Sequence, residues 1–153
     1  AKSLGADVPF FLHPRPCIAK GIGEQLFPLS SYPTLFVLIL KPSFSISTKE
    51  AYQNCIPEPV SSPVTEITTL QQVCLSLHNQ FEKNLFSRYP ELQAIKNSFM
   101  DHGALGALMS GSGSSVFGIF PDQTLQQKAF HQLKEVTPGA IFSCQSINQH
   151  FYL

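Results

Sequence analysis

The sequence predicts an α+β fold: a ferredoxin-like β-α-β-β-α-β sandwich over residues 33–153, preceded by a β-hairpin fragment over residues 1–32. Three observations predict it. The Thr34–Leu40 segment, apolar without a break from Leu35, reads as a central strand. Two further apolar segments, Ala104–Met109 and Val116–Phe120, flank a turn made only of serine and glycine. Helical periodicities separate the first strand from this pair, and the pair from a strand at Ala140–Cys144.

The elements follow in order. Ala6–Leu12 is short, apolar and holds Val8 and Phe10, so it reads as a strand or strand entry. Cys17–Lys20 and Glu24–Leu29 read as two strands bent at Gly21-Ile22-Gly23, and Ser30–Pro33 is a polar break. The Thr34–Leu40 strand is expected to be buried on both faces. Ser47 with Glu50 three residues on predicts a capping box, opening a short helix to about Asn54. A proline-rich loop follows over Ile56–Pro63. Ile67, Leu70, Val73, Cys74, Leu77, Phe81 and Leu85 form one stripe, which predicts a helix over Glu66–Phe86. Pro90 suits the first turn of the next helix, with Leu92, Ile95 and Phe99 inward and Gly103 as its C-terminal cap. Asp122 caps a third long helix with Leu125, Ala129 and Leu133 inward. Pro138-Gly139 turns the chain into Ala140–Cys144, and a last short strand is expected at Gln149–Leu153.

Composition excludes several classes of function. Charged residues are only 13% of the chain and hydrophobic ones 43%, which argues against a disordered tail or a coiled coil. Ten basic residues balance ten acidic ones, so there is no cationic excess to replace counterions on a nucleic acid. No apolar run approaches the roughly 20 residues of a membrane span. Cys17, Cys55, Cys74 and Cys144 make no C-x-x-C pair and have no histidine at ligand spacing, so no metal site is expected. Scattered thiols suit a reducing cytoplasm. The chain opens Ala-Lys-Ser-Leu-Gly, without an initiator Met or signal peptide, and is expected to begin inside a longer protein.

Three segments could carry chemistry. Ser110-Gly111-Ser112-Gly113-Ser114-Ser115 has glycines that allow positive φ and close ligand approach, and its N–H groups could form an anion nest. It reads as a phosphate loop or as a plain hairpin turn. Asp7, an acid inside an apolar stretch, must be paired, hydrogen-bonded or functional. It could accept a proton from a substrate hydroxyl, or simply cap an element. Thr48 and Lys49 stand at a helix start that could attract an anion or be an ordinary cap. Tyr52, one turn on, is either core or a stacking platform. The five histidines share no metal-ligand spacing.

Four motifs occur in one order: Leu4-Gly5-Ala6-Asp7-Val8-Pro9-Phe10-Phe11, Gly21-Ile22-Gly23-Glu24, Ser45-Ile46-Ser47-Thr48-Lys49-Glu50-Ala51-Tyr52 and Met109-Ser110-Gly111-Ser112-Gly113-Ser114-Ser115-Val116-Phe117-Gly118. Together they resemble the GHMP kinase superfamily, and within it the kinases of a cytidine diphosphate-linked methylerythritol. The resemblance covers nearly the whole chain but only about the second half of such an enzyme. It implies phosphorylation of the substrate's 2-hydroxyl with ATP and Mg²⁺, in non-mevalonate isoprenoid synthesis. It makes Asp7 the catalytic aspartate and Ser110, Gly111, Ser112, Gly113 and Ser114 the phosphate loop. It places Thr48 and Tyr52 on the cytidine and lets Lys49 reach the diphosphate. It divides the chain into a remnant of the ATP-binding domain (1–32) and a C-terminal substrate-binding domain (33–153). The form of the Ala6–Pro9 and Thr48–Tyr52 segments favours the cytidyl substrate over the mevalonate and homoserine kinases of the same superfamily. A non-catalytic ferredoxin-like module is the reading from another class.

The superfamily's ATP-cradling loop and its N-terminal catalytic lysine have no counterpart here and are expected upstream of Ala1. Phosphoryl transfer depends on positioning and on charge neutralisation, so the isolated chain is expected to be inactive and to hold no cofactor. Without a partner domain, residues before about Ser30 would expose strand edges. Disorder there, a dimer through those strands, or an arrangement unlike the parent enzyme is expected.

Overall fold

The computed structural model describes residues 10, 15–29, 31–53, 55–56 and 67–147. Two glycines turn the first hairpin. β1 (Cys17–Lys20) and β2 (Gln25–Pro28) pair antiparallel, Lys20 opposite Gln25, with Gly21 and Gly23 at φ of 71° and 107° between them. Phe10 is helical rather than extended, as suits a residue that follows a proline in sequence. The rest of the expected Ala6–Leu12 strand, the Pro57–Pro63 stretch and the expected strand at 149–153 lie outside the described residues.

The main sheet has four antiparallel strands: β3 (Phe36–Lys41), β4 (Gly106–Met109), β5 (Val116–Phe120) and β6 (Ala140–Gln145), in the order β4-β5-β3-β6. Helix α1 (Thr48–Gln53), α2 (Leu70–Leu75), α3 (Glu82–Arg88) and α4 (Pro90–Asp101) lie between β3 and β4, and α5 (Gln123–Lys134) between β5 and β6. This is the expected ferredoxin-like order with an enlarged first crossover. Leu38 stands opposite Gly118 and Leu40 opposite Val116, which aligns one apolar face for the helices.

That face makes the core. Leu38, Leu40, Val116 and Phe120 from the strands meet Leu92, Ile95 and Phe99 of α4 and Ala129 and Leu133 of α5. Gly118 lets α4 approach closely, because a Cβ there would lie 2.8 Å from the Phe99 ring. Burial of β3 on both faces is not observed. Leu38 and Leu40 are buried, whereas Phe36, Val37 and Ile39 are only half-buried. The sheet is antiparallel and α4 and α5 take one face, so the other is covered only in part. At the β4 edge of that second face α2 and the bend after it pack closely, since a Cβ on Gly106 would meet Cys74 of α2 at 3.3 Å and Leu77 of the bend at 2.8 Å.

Two helical expectations are corrected. The stripe over Glu66–Phe86 is two helices, not one. α2 starts at Thr69 with a full capping box to Gln72 and stops at Ser76, whose hydroxyl bonds back to the Val73 carbonyl. Asn79 then spends its side chain on backbone groups elsewhere instead of continuing the helix. On α5, Asp122 caps as expected, its carboxylate accepting from the Leu125 N–H. Yet Leu125 is exposed and Gln126 takes the inward place. Burial of that amide is compensated by two bonds, from Nε2 to the Val37 and Cys144 carbonyls. All four cysteines are free thiols. No helix among the described residues is long and apolar enough to cross a membrane.

Candidate active site

Two connections leave the sheet at the same end, because Leu40 and Met109 both pair with Val116. One is the β4–β5 turn, Ser110–Ser115; the other joins β3 to α1. Within the turn the Ser110 N–H donates to the Ser115 carbonyl (2.8 Å) and the Gly113 N–H to the Ser110 carbonyl (3.0 Å). Gly111 and Gly113 take φ of 53° and 85°, so both glycines are needed for this shape. The N–H groups of Gly111 and Ser112 meet no acceptor among the described residues. Two adjacent unpaired amides in a left-handed turn are the elements of an anion nest.

Lys41, the last residue of β3, ties the two connections together. Its Nζ donates to the Phe44 carbonyl (2.7 Å) and to Ser114 Oγ (2.9 Å). Ser114 is buried and donates in turn to the same Phe44 carbonyl at 2.7 Å. Thr48 Oγ1, at the start of α1, lies 3.3 Å from Ser112 Oγ. On the far side, Asn79 Nδ2 donates to the Met109 carbonyl (2.7 Å) and the Gly111 carbonyl (2.9 Å). Glu82 accepts the Met109 N–H at 2.7 Å and is paired with Lys96 at 2.5 Å.

α1 is anchored through Glu50. Ser47 Oγ accepts the Glu50 N–H at 3.1 Å, which is half of the expected capping box. The other half is absent, because the Glu50 carboxylate accepts instead from the Tyr89 hydroxyl (2.6 Å) and from Arg88 (2.7 Å). A charge-assisted pair at that distance outcompetes a return bond to a backbone amide. The bond to Glu50 also holds the Tyr89 phenol above its ordinary pKa, with burial and the carboxylate's charge acting the same way. Lys49 and Tyr52 are exposed. The Tyr52 ring is braced edge-on by Phe81, centroids 4.9 Å apart. No group of three His, Cys, Asp or Glu side chains gathers to hold a metal ion among the described residues.

A family model described as GHMP kinases C terminal matches residues 66–139, which include α2 to α5 and the β4–β5 turn. A crystal structure of 4-(cytidine 5′-diphospho)-2C-methyl-D-erythritol kinase matches with a TM-score of 0.75 and 28% identity, over 94% of this chain and 54% of that one. Residues 66–139 carry a GHMP kinase C-terminal domain. Among sequence relatives, a protein of Geobacter sp. (strain M21) named 4-diphosphocytidyl-2-C-methyl-D-erythritol kinase is 38% identical over 136 residues, 86% of this chain and 48% of the relative. One of the same name from Syntrophus aciditrophicus (strain SB) is 35% identical over 150 residues, covering 95% and 54%. The chain thus spans about half the length of the curated relatives it matches. Mevalonate kinase of L. major shares the fold, with a TM-score of 0.55 at 16% identity over 84% of this chain and 47% of that one.

The sequence-predicted residue Thr48 stands beside Ser110–Ser114, which lie within the matched domain, and the Thr48–Ser112 contact joins them. Lys49 and Tyr52 share the helix with Thr48. Asp7 lies outside the described residues. Lys41, Asn79 and Glu82 were not anticipated, although they make the bonds that hold the turn. The available signals were a lysine ending an apolar strand and an asparagine interrupting an apolar stripe.

Proposed function

We propose that this domain is the substrate-binding half of an ATP-dependent kinase that phosphorylates the 2-hydroxyl of 4-diphosphocytidyl-2-C-methyl-D-erythritol in the cytoplasm, a step of non-mevalonate isoprenoid synthesis. The observation that carries the reading is the 3.3 Å approach of Thr48 to Ser112, which sets the helix bearing Lys49 and Tyr52 beside a turn with two unpaired amides. An exposed aromatic ring beside an anion nest suits a nucleotide-linked substrate held next to the phosphoryl group it receives. The names of the relatives point to the same substrate.

In this reading Tyr52 stacks on the cytosine, Thr48 and Lys49 hold the nucleotide portion, and Ser110–Ser114 closes over the transferred phosphate. Asp7 takes the proton from the 2-hydroxyl as that oxygen bonds to the γ-phosphorus of ATP and the bond to departing ADP breaks. Mg²⁺, when bound with ATP, would neutralise charge on the nucleotide phosphates, and no cluster of carboxylate, histidine or cysteine side chains among the described residues is assigned to hold it. The ATP-cradling loop and the lysine have no match within these 153 residues, so turnover is assigned to the complete gene product and not to this chain alone.

An ADP-release assay on the complete gene product tests the reading, with the cytidyl substrate, mevalonate and homoserine as acceptors. Turnover is expected with the first. Turnover confined to mevalonate or homoserine, or to none of the three, contradicts the reading. Tyr52→Ala is expected to raise KM for the cytidyl substrate roughly 5- to 150-fold, the equivalent of the ~1–3 kcal/mol of one stacked base. Tyr52→Phe keeps the ring and is expected to keep KM.

A further inference from the structure

The β4–β5 turn takes its shape from residues outside it. A turn of serine and glycine has little conformational preference of its own and loses much chain entropy when fixed. Asn79, on the bend between α2 and α3, holds the carbonyl of Met109, which leads into the turn, and that of Gly111 within it, at 2.7 and 2.9 Å. A peptide unit is planar, so a trans unit whose C=O is held toward Asn79 sends the next N–H the opposite way. The Ser110 N–H is thereby delivered to the Ser115 carbonyl, and the Ser112 N–H faces away from Asn79 with no acceptor among the described residues. Asn79 is itself fixed, because its Oδ1 accepts the Phe81 N–H at 2.9 Å. At the other end of the turn Lys41 holds Ser114 at 2.9 Å.

We propose that Asn79 is a positioning residue for phosphoryl transfer: with Lys41 at the opposite end, it holds the Ser110–Ser115 turn in the shape that presents the Gly111 and Ser112 amides to a phosphate group. Asn79 acts through the turn and touches no substrate. The kinetic side of the proposal rests on the kinase reading above; the structural side does not.

Asn79→Asp separates the roles. It keeps Oδ1 for the Phe81 N–H but sets a carboxylate, without a donor, against two carbonyl oxygens. In the complete gene product kcat is expected to fall on the order of 10²-fold, the cost of a small misplacement. KM for the cytidyl substrate is expected to hold, because Thr48, Lys49 and Tyr52 stand on a helix that Asn79 does not bond. Amide exchange at Ser110 and Gly113 is expected to quicken about tenfold or more through local opening, while Leu38 and Leu40 keep their protection. Asn79→Ser retains a hydroxyl acceptor for Phe81 and serves, with the same expected results, if the aspartate variant does not fold. Unchanged exchange at Ser110 and Gly113 in a folded variant overturns the proposal, as does quickened exchange with unchanged kcat. A uniform loss of protection that includes β3 also overturns it, since Asn79 would then be a stability residue only. If the unsubstituted protein fails to phosphorylate the cytidyl substrate, the kinase reading fails, and exchange at Ser110 and Gly113 alone decides the role of Asn79.

Discussion

Asp7→Asn in the complete gene product is expected to lower kcat by roughly 10²–10⁴-fold, the usual contribution of a positioned general base. Binding of the cytidyl substrate is expected to change little. Asparagine has the shape of aspartate and can hydrogen-bond a hydroxyl, but it cannot hold the proton that leaves the 2-hydroxyl. The choice of asparagine also separates the two roles open to an acid in the Ala6-Asp7-Val8-Pro9 stretch. As a helix cap, asparagine is about as good as aspartate. A capping role therefore predicts unchanged kcat and unchanged melting temperature, whereas a catalytic role predicts lost turnover at unchanged melting temperature. Steady-state kinetics and a thermal melt on the same preparation distinguish the two.

Phe99→Ala is expected to have the largest effect on the fold. Phe99 is fully buried, meets Phe120 edge-on with centroids 6.4 Å apart, and fills the space that Gly118 leaves free. Truncation removes a large apolar side chain where α4 crosses β5 and leaves a cavity that a four-stranded sheet cannot close. A loss of ~3–5 kcal/mol is expected, by comparison with other buried aromatic truncations. Against a typical domain stability of about 5–15 kcal/mol, that is a large fraction of the total. Urea denaturation of the wild type and the variant measures it. A loss within the ~0.5 kcal/mol of an ordinary surface substitution would mean that α4 does not pack on β5 as described.

The order of the elements was legible because it rests on periodicity. The apolar run into β3, the paired segments around the serine-glycine turn and the Leu92, Ile95 and Phe99 stripe each carry their pattern locally. The turn and Thr48 were legible by residue type, and the fold brings them together. What escaped the sequence is what depends on distant partners. Asn79 breaks an apolar stripe because its amide is claimed by Met109 and Gly111, some thirty residues away. Gln126 is buried in place of Leu125 because the carbonyls of Val37 and Cys144 satisfy its amide. Glu50 abandons half of its capping box for Arg88, the last residue of α3, and for Tyr89, which follows it. Lys41 ends an apolar strand in sequence, but its role is visible only where its ammonium group reaches Ser114 and Phe44. In each case the local pattern was correct about propensity and silent about a tertiary hydrogen bond that overrode it.

The central claim is that the Asp7 carboxylate, the Thr48–Tyr52 helix and the Ser110–Ser115 turn serve a single phosphoryl transfer. A crystal structure of the complete gene product with the cytidyl substrate and a non-hydrolysable ATP analogue measures it directly. The account predicts the Asp7 carboxylate within hydrogen-bond reach of the 2-hydroxyl, Tyr52 stacked on the cytosine, and the Gly111 and Ser112 amides on a phosphate oxygen. A structure in which that carboxylate and the turn open onto different clefts would contradict it.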